Sequence, residues 1–257
     1  MSRQVRASPV FLGLLALTAA GGALAAAGDP LPLLTGRRDP LLVAGVFTLV
    51  AAGWAVSLTL HEFGHAVVAY RGGDYDVAAK GYLAMDVRRY TDPVLSIVLP
   101  LLLLAIGSIP LPGGAVWLNT SALRTRATAM WVSLAGPLTN LALGAALAIT
   151  IRIVPMPTGL AMGLSYLALV QVLAFVLNIL PIPGLDGYGA LEPYLPPQAR
   201  KLGAKARPWA PLALFAILIA VPAARDAFSA AAGIVFEQLG GGQQLAVFGG
   251  HLFRFWT

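Results

Sequence analysis

Residues 41–70 form an apolar run whose only acidic, basic or imidazole side chains are His61, Glu62 and His65. About 20 apolar residues cross a bilayer as a helix, so the run predicts a membrane span that carries its ionisable groups at one end. All three fall within one pentapeptide, His61-Glu62-Phe63-Gly64-His65. Two histidines four apart lie on one face of a helix, about one turn from each other. Both imidazoles can then bind one Zn²⁺ at roughly 2.0–2.1 Å, with coordination left open for a third ligand and a water. A glutamate beside the first histidine is placed to take a proton from that water. The same pattern arises by chance on polar helix faces. At the end of a lipid-length apolar helix, ionisable groups are costly and usually functional, which favours the metal site.

Composition extends the constraint to the whole chain. Of 257 residues, 58% are hydrophobic and 11% charged, which points to several membrane spans rather than a soluble domain. The net charge of +6 resides in short basic segments between apolar runs, without an aromatic-interleaved groove. That pattern fits cytoplasmic loops facing anionic lipid and speaks against nucleic acid as a partner. Cysteine is absent, which excludes a disulfide framework, a thiolate metal site and a cysteine nucleophile. With three histidines in all, two of them in the pentapeptide, a carboxylate is the expected third ligand.

The expected architecture is an all-α polytopic membrane protein with about six transmembrane helices and a re-entrant or β-like segment near 93–120. Arg3 and Arg6 precede an apolar run at 9–27 that ends in small residues. It could be a signal peptide, but its length favours an uncleaved first span with a cytoplasmic N-terminus. The run at 41–70 returns inward and is stopped by Arg71-Gly72-Gly73. Asp74, Asp76, Asp86 and Asp92 in the polar stretch that follows read as solvated loop acids. Residues 93–109 are apolar but short and broken by Pro100; further spans are expected at 127–151, 158–180 and 209–221. Residues 228–253, with Glu237 and several glycines, read as a last span or a surface helix. If 93–109 crossed fully, Asp186 would emerge opposite the histidines and the basic stretch from Arg200 to Arg207 would lie outside. A re-entrant segment removes both problems, and irregular backbone at membrane depth must line protein or a watery cavity.

The third ligand has several candidates. Asp186 follows Pro181-Ile182-Pro183-Gly184-Leu185 at the end of a span, at about the depth of the histidines, although Asp before Gly is also ordinary turn chemistry. Glu192, Glu237 and His251 compete with it. The topology favours Asp186, because an intramembrane carboxylate needs a partner.

Three segments occur in order: His61-Glu62-Phe63-Gly64-His65, then Ala135-Gly136-Pro137-Leu138-Thr139-Asn140, then Asn178-Ile179-Leu180-Pro181-Ile182-Pro183-Gly184-Leu185-Asp186-Gly187. They resemble the HExxH, GPxxN and NxxPxPxLDG motifs of the site-2 protease family, zinc metalloproteases that cut within membranes (peptidase family M50). The resemblance covers roughly residues 41–190 and implies a compact member without PDZ or CBS modules. It further implies one Zn²⁺ per chain held by His61, His65 and Asp186, with Glu62 as catalytic base. Asn140 is implied to contact substrate or the oxyanion, although asparagine in a membrane helix also commonly bonds a neighbouring helix. The chain is then one transmembrane protease domain, residues 1–257, with a catalytic core near 41–190 and peripheral helices at 9–27 and 208–253. Its substrates would be single-pass transmembrane proteins, cut near the cytoplasmic side of a bacterial cell membrane, with membrane lipid as the surrounding partner.

A peptide bond within a substrate helix must unwind before attack, and unwound backbone in lipid needs new hydrogen-bond partners. The stretch Gly114-Ala115-Val116-Trp117-Leu118 could supply them by pairing as an edge strand, with Gly114 and Val116 touching substrate. Asn178 is a further substrate-side candidate or fixes the turn that aims Asp186, while Gln171 reads as a bond between helices. Two alternatives stay open: a cytosol-facing membrane metallopeptidase with a glutamate third ligand, and a non-catalytic zinc-binding scaffold that has no need of Glu62.

Overall fold

The structure is a computed structural model that describes residues 5–90 and 119–256. Gly114, Val116 and the segment at 93–109 therefore lie outside the described residues. Every regular element among the described residues is helical. The principal helices are α1 (Pro9–Ala27), α2 (Pro40–Gly72), α3 (Arg126–Ile153), α4 (Thr158–Asn178), α5 (Asp186–Leu191), α6 (Pro197–Ala206), α7 (Ala210–Ala220), α8 (Pro222–Gln238) and α9 (Gln243–Phe253).

Local sequence sets the ends of these helices. Ser8 and Asp39 accept hydrogen bonds from Phe11 N and Leu42 N at 3.1 and 2.7 Å, each just ahead of a proline in the first turn. Thr125 caps α3 through Thr128 N at 3.0 Å. At its other end α2 stops at Gly73, whose φ of 117° suits a residue without a Cβ.

Four helices, α1 to α4, are long and apolar enough to cross a membrane, and the bent pair α6–α7 makes a fifth if taken as one span. This is a count among the described residues, and the segment at 93–109 lies outside them. Residues 209–221 supply only the 11-residue α7, about 16 Å long by the helical rise, before Pro222 opens a new helix. The apolar stretch 228–253 is likewise divided at Gly240-Gly241-Gly242 into α8 and α9.

α1 lies antiparallel on α2, so close that a Cβ at Gly21 would stand 2.8 Å from Leu49 Cα. Small residues permit this approach where lipid supplies no hydrophobic drive between helices. α2 and α4 are the most buried of the four spans. One apolar cluster joins them to α1 and α9 through Val46, Val50, Trp54, Leu167, Val170 and Leu252. A second joins the far side of α4 to α7 and α8 through Val172, Leu177, Phe215, Phe228 and Phe236.

A third cluster closes the end of α2, where Val77, Tyr82, Leu83 and Tyr90 pack on Ala66, Ala69 and Val132 of α3. The stretch after α2 is therefore a packed cap, and the reading of its acids as solvated is corrected for two of them. Asp74 is fully buried and accepts from Asp76 N at 3.1 Å and Asn119 N at 2.7 Å. Asp86 is buried beside Arg88, whose two bonds of 2.9 and 2.8 Å hold its carboxyl below the usual range against the opposing effect of burial. Both acids satisfy donors that closing the cap would otherwise leave unpaired. Asp76 is exposed, and Asp92 lies outside the described residues. The N-terminal segment joins the same end of the bundle, with Arg6 N bonded to Leu83 O at 3.2 Å and Ser8 Oγ to Met85 O at 3.0 Å.

Candidate metal centre

His61 and His65 project from α2 towards α3, which runs antiparallel to it. Three α3 residues spaced four apart, Val132, Gly136 and Asn140, form the stripe that receives them. His65 Nδ1 donates to the Val132 carbonyl at 2.7 Å, and His61 Nδ1 lies 2.5 Å from Asn140 Oδ1. The other end of the Asn140 amide donates to Gln171 Oε1 of α4 at 2.9 Å. A carbonyl cannot donate, so the Val132 bond puts the His65 proton on Nδ1. The Asn140–Gln171 bond orients the amide to do the same for His61. Such outer bonds fix tautomer and ring orientation at metal sites.

Both Nε2 atoms then present lone pairs, 3.1 Å apart. Asp186 approaches the same point, with Oδ2 at 3.3 Å from His61 Nε2 and Oδ1 at 3.5 Å from His65 Nε2. The three ligand atoms lie within 4.8 Å of one another, and the residues could hold a metal ion. With both Nδ1 hydrogens engaged elsewhere, everything that converges is an electron-pair donor. Two imidazoles and one carboxylate, leaving further positions open, form a donor set suited to zinc.

Gly136 makes room for such an ion. A Cβ there would meet both coordinating nitrogens, standing 2.5 Å from His61 Nε2 and 2.7 Å from His61 Cε1. Gly64, within the pentapeptide, performs the matching service from α2, because a Cβ on it would reach Thr139 Oγ1 at 2.8 Å and Ala135 O at 3.1 Å. The two helices can therefore approach closely enough for Val132 and Asn140 to reach the imidazoles. Pro137 adds one backbone peculiarity, since it lacks the N–H that would bond the Ser133 carbonyl.

Asp186 is aimed by the link after α4. Asn178 is the buried last residue of that helix, and two prolines and Gly184 carry the chain to Leu185, which is buried. Asp186 opens α5, and the residue at the cap position is Leu185, which makes no side-chain cap bond. Gly187 allows the chain to fold back on itself, since a Cβ there would collide with the Ile179 carbonyl. The carboxylate is thus held at the histidines and not drawn into turn chemistry.

The competing ligands lie elsewhere. Glu192 is bonded to Arg207 at 2.8 Å, Glu237 accepts from Gln243 Nε2 at 2.7 Å, and His251 is exposed on α9. Glu62 is buried, 3% exposed, on the turn that carries the histidines. Burial, reinforced by the charge of Glu62, pushes the Tyr90 phenol of the cap upward, so this carboxylate acts electrostatically on the packed end of α2.

Two residues of the site escaped the sequence reading. Gly136 was visible only as a motif letter, because its position over the nitrogens depends on the register of two helices. Gln171 was read as a bond between helices, and the bond exists, but it runs through Asn140 to a histidine. Asn140, implied by the resemblance to contact substrate or the oxyanion, bonds His61 through Oδ1 and Gln171 through one hydrogen of its amide nitrogen, which has a second hydrogen to donate. Asn140→Ala should weaken zinc binding about 10–100-fold, the usual loss when an outer-shell partner is removed, measured by competition with a chromogenic chelator.

Three curated proteins resemble the chain over nearly all of its length, each named "Putative zinc metalloprotease Rip2". Those from two strains of Mycobacterium tuberculosis are 48% identical over 256 residues, covering 98% of this chain and 95% of theirs. The one from Mycolicibacterium smegmatis is 45% identical over 260 residues, covering 100% and 97%. No family model matches the chain, and no solved structure matches it.

Proposed function

Since the chain belongs to the site-2 protease family of zinc metalloproteases, we propose that it hydrolyses peptide bonds in or near the transmembrane helices of single-pass membrane proteins. One observation carries this reading. His61 and His65 sit on an apolar helix long enough to span a bilayer, roughly 10–16 Å from its C-terminal end by the helical rise, and Asp186 at the start of α5 converges on them there. A donor set at that depth suits a scissile bond presented inside the membrane.

In this proposal His61, His65 and Asp186 hold one Zn²⁺. The chemistry the ion supplies when bound is polarisation of the scissile carbonyl and acidification of water. Glu62 takes the proton of the attacking water as the new C–O bond forms, then delivers it to the amine nitrogen as the C–N bond breaks. Asn140 acts as a positioning residue, since its Oδ1 orients His61 while its amide nitrogen is tied to Gln171 Oε1. The catalytic core is residues 41–190, with the other helices bracing α2 and α4. The basic residues Arg71, Arg88, Arg89, Arg124 and Arg126 gather at the end of α2 nearer the site, which supports a cytoplasmic placement of that end. A glutamate third ligand is disfavoured by the pairing of Glu192 with Arg207.

The test is reconstitution of the full chain into bilayers with a panel of single-pass helices. Cleavage should stop on chelation and return with added zinc. Cleavage of soluble peptides alone, or cleavage indifferent to chelator, would refute the proposal.

A further inference from the structure

On the face of the α2–α3 pair turned away from the metal centre lies an apolar groove of about 790 Å³. Phe63 and Val67 of α2 and Trp131 and Leu138 of α3 line it, and Arg71 stands at one end. Its floor is the contact of Gly64 with Ala135 and Thr139, so one residue's thickness separates it from the histidines. Nothing seated there reaches the ligand atoms without parting the two helices. The scissile segment of a substrate is therefore not its occupant.

Dimensions narrow the choice further. From Leu60 to Arg71 the groove follows about 16 Å of helix at 1.5 Å per residue. That length, apolar along its wall and carrying one cation at its end, matches an acyl chain joined to an anionic headgroup. Trp131 and Leu138 are exposed within the groove, at 53% and 39%, so its wall is open on the outer side of the helix pair.

The end of the groove supplies a charge. Arg71 lies in the last turn of α2, is exposed, and has no hydrogen bond or ion pair among the described residues. Arg126, also exposed, opens α3 beside it, where Arg124 N bonds Gly72 O at 3.1 Å. Basic pockets between transmembrane helices at the membrane face select anionic headgroups. We propose that the α2–α3 groove binds one anionic phospholipid, with its acyl chain along Phe63, Val67, Trp131 and Leu138 and its phosphate on Arg71.

Trp131 is a built-in probe. The full chain and its Trp131→Phe variant are reconstituted in phosphatidylcholine bilayers containing a small fraction of lipid with brominated chains, and the difference in quenching isolates Trp131. Brominated phosphatidylglycerol should associate with Trp131 about fivefold more strongly than brominated phosphatidylcholine, the factor expected for one basic side chain at an anionic headgroup. Arg71→Gln should bring the two lipids to parity, and Ala142→Phe, which fills the groove and leaves the arginine, should abolish the specific quenching. Zinc content checks that each variant is folded. Equal quenching by both lipids in wild type would overturn the proposal, as would a preference that survives Arg71→Gln. Displacement of the lipid by a substrate helix would overturn it too, by assigning the groove to protein.

Discussion

Gly136→Ala is expected to yield a folded, membrane-inserted protein that holds no zinc and has no measurable cleavage. The added methyl is small, and on most faces of α3 it would cost little or favour the helix. At this position it stands against both histidine nitrogens, in the space that a shared cation needs. Either the imidazoles retreat, or the helices part and the bonds from Val132 and Asn140 stretch. A misplacement of 1 Å can already lower rates about 10²-fold, so cleavage should fall by at least that factor. Gly144→Ala is the control on the same helix, where a Cβ meets Val172 Cγ2 at 3.3 Å and Ala168 O at 3.4 Å and a small adjustment suffices. Metal analysis and thermal unfolding of both variants separate a filled site from a damaged fold. Zinc retained at wild-type content in Gly136→Ala would mean that the ion does not lie between these nitrogens.

Glu62→Gln should produce the complementary result, with zinc kept and catalysis lost. The amide matches the carboxylate in shape but cannot accept a proton from water, and general-base removal typically costs about 10²–10⁴-fold. The loss should fall on kcat and on kcat/KM alike, since no substrate contact is removed. Single-turnover cleavage in bilayers, with metal content measured on the same sample, tests this. A scaffold that only binds zinc would be indifferent to the change, so a wild-type cleavage rate in Glu62→Gln would exclude the assigned role.

Much of the site could be read from the chain because two independent patterns coincided. The run at 41–70 had to be a helix in lipid, and the four-residue spacing of His61 and His65 then placed both on one face. Asp186 was legible for a different reason, since a helix-breaking Pro-Ile-Pro-Gly ahead of it ends a span and strands a carboxylate at depth. Properties set by tertiary register were not legible. Gly136 acquires its role only when α3 runs antiparallel to α2 with Asn140 opposite His61. Asp74 and Asp86 looked like loop acids because sequence does not reveal which backbone donors or cap arginines a loop will present to them. The C-terminal helices were less legible, since apolar content alone does not reveal that the chain breaks at Pro222 and at 240–242.

The two imidazoles are braced by different kinds of acceptor. His65 leans on the main chain at Val132, which every amino acid would supply, whereas His61 leans on the side chain of Asn140 and, through it, on Gln171. Genetic drift at position 132 can leave its bond intact as long as the side chain still packs, while drift at 140 or 171 cannot. The fragility of the centre is therefore concentrated on the half that reaches α4, the helix whose end also delivers the carboxylate.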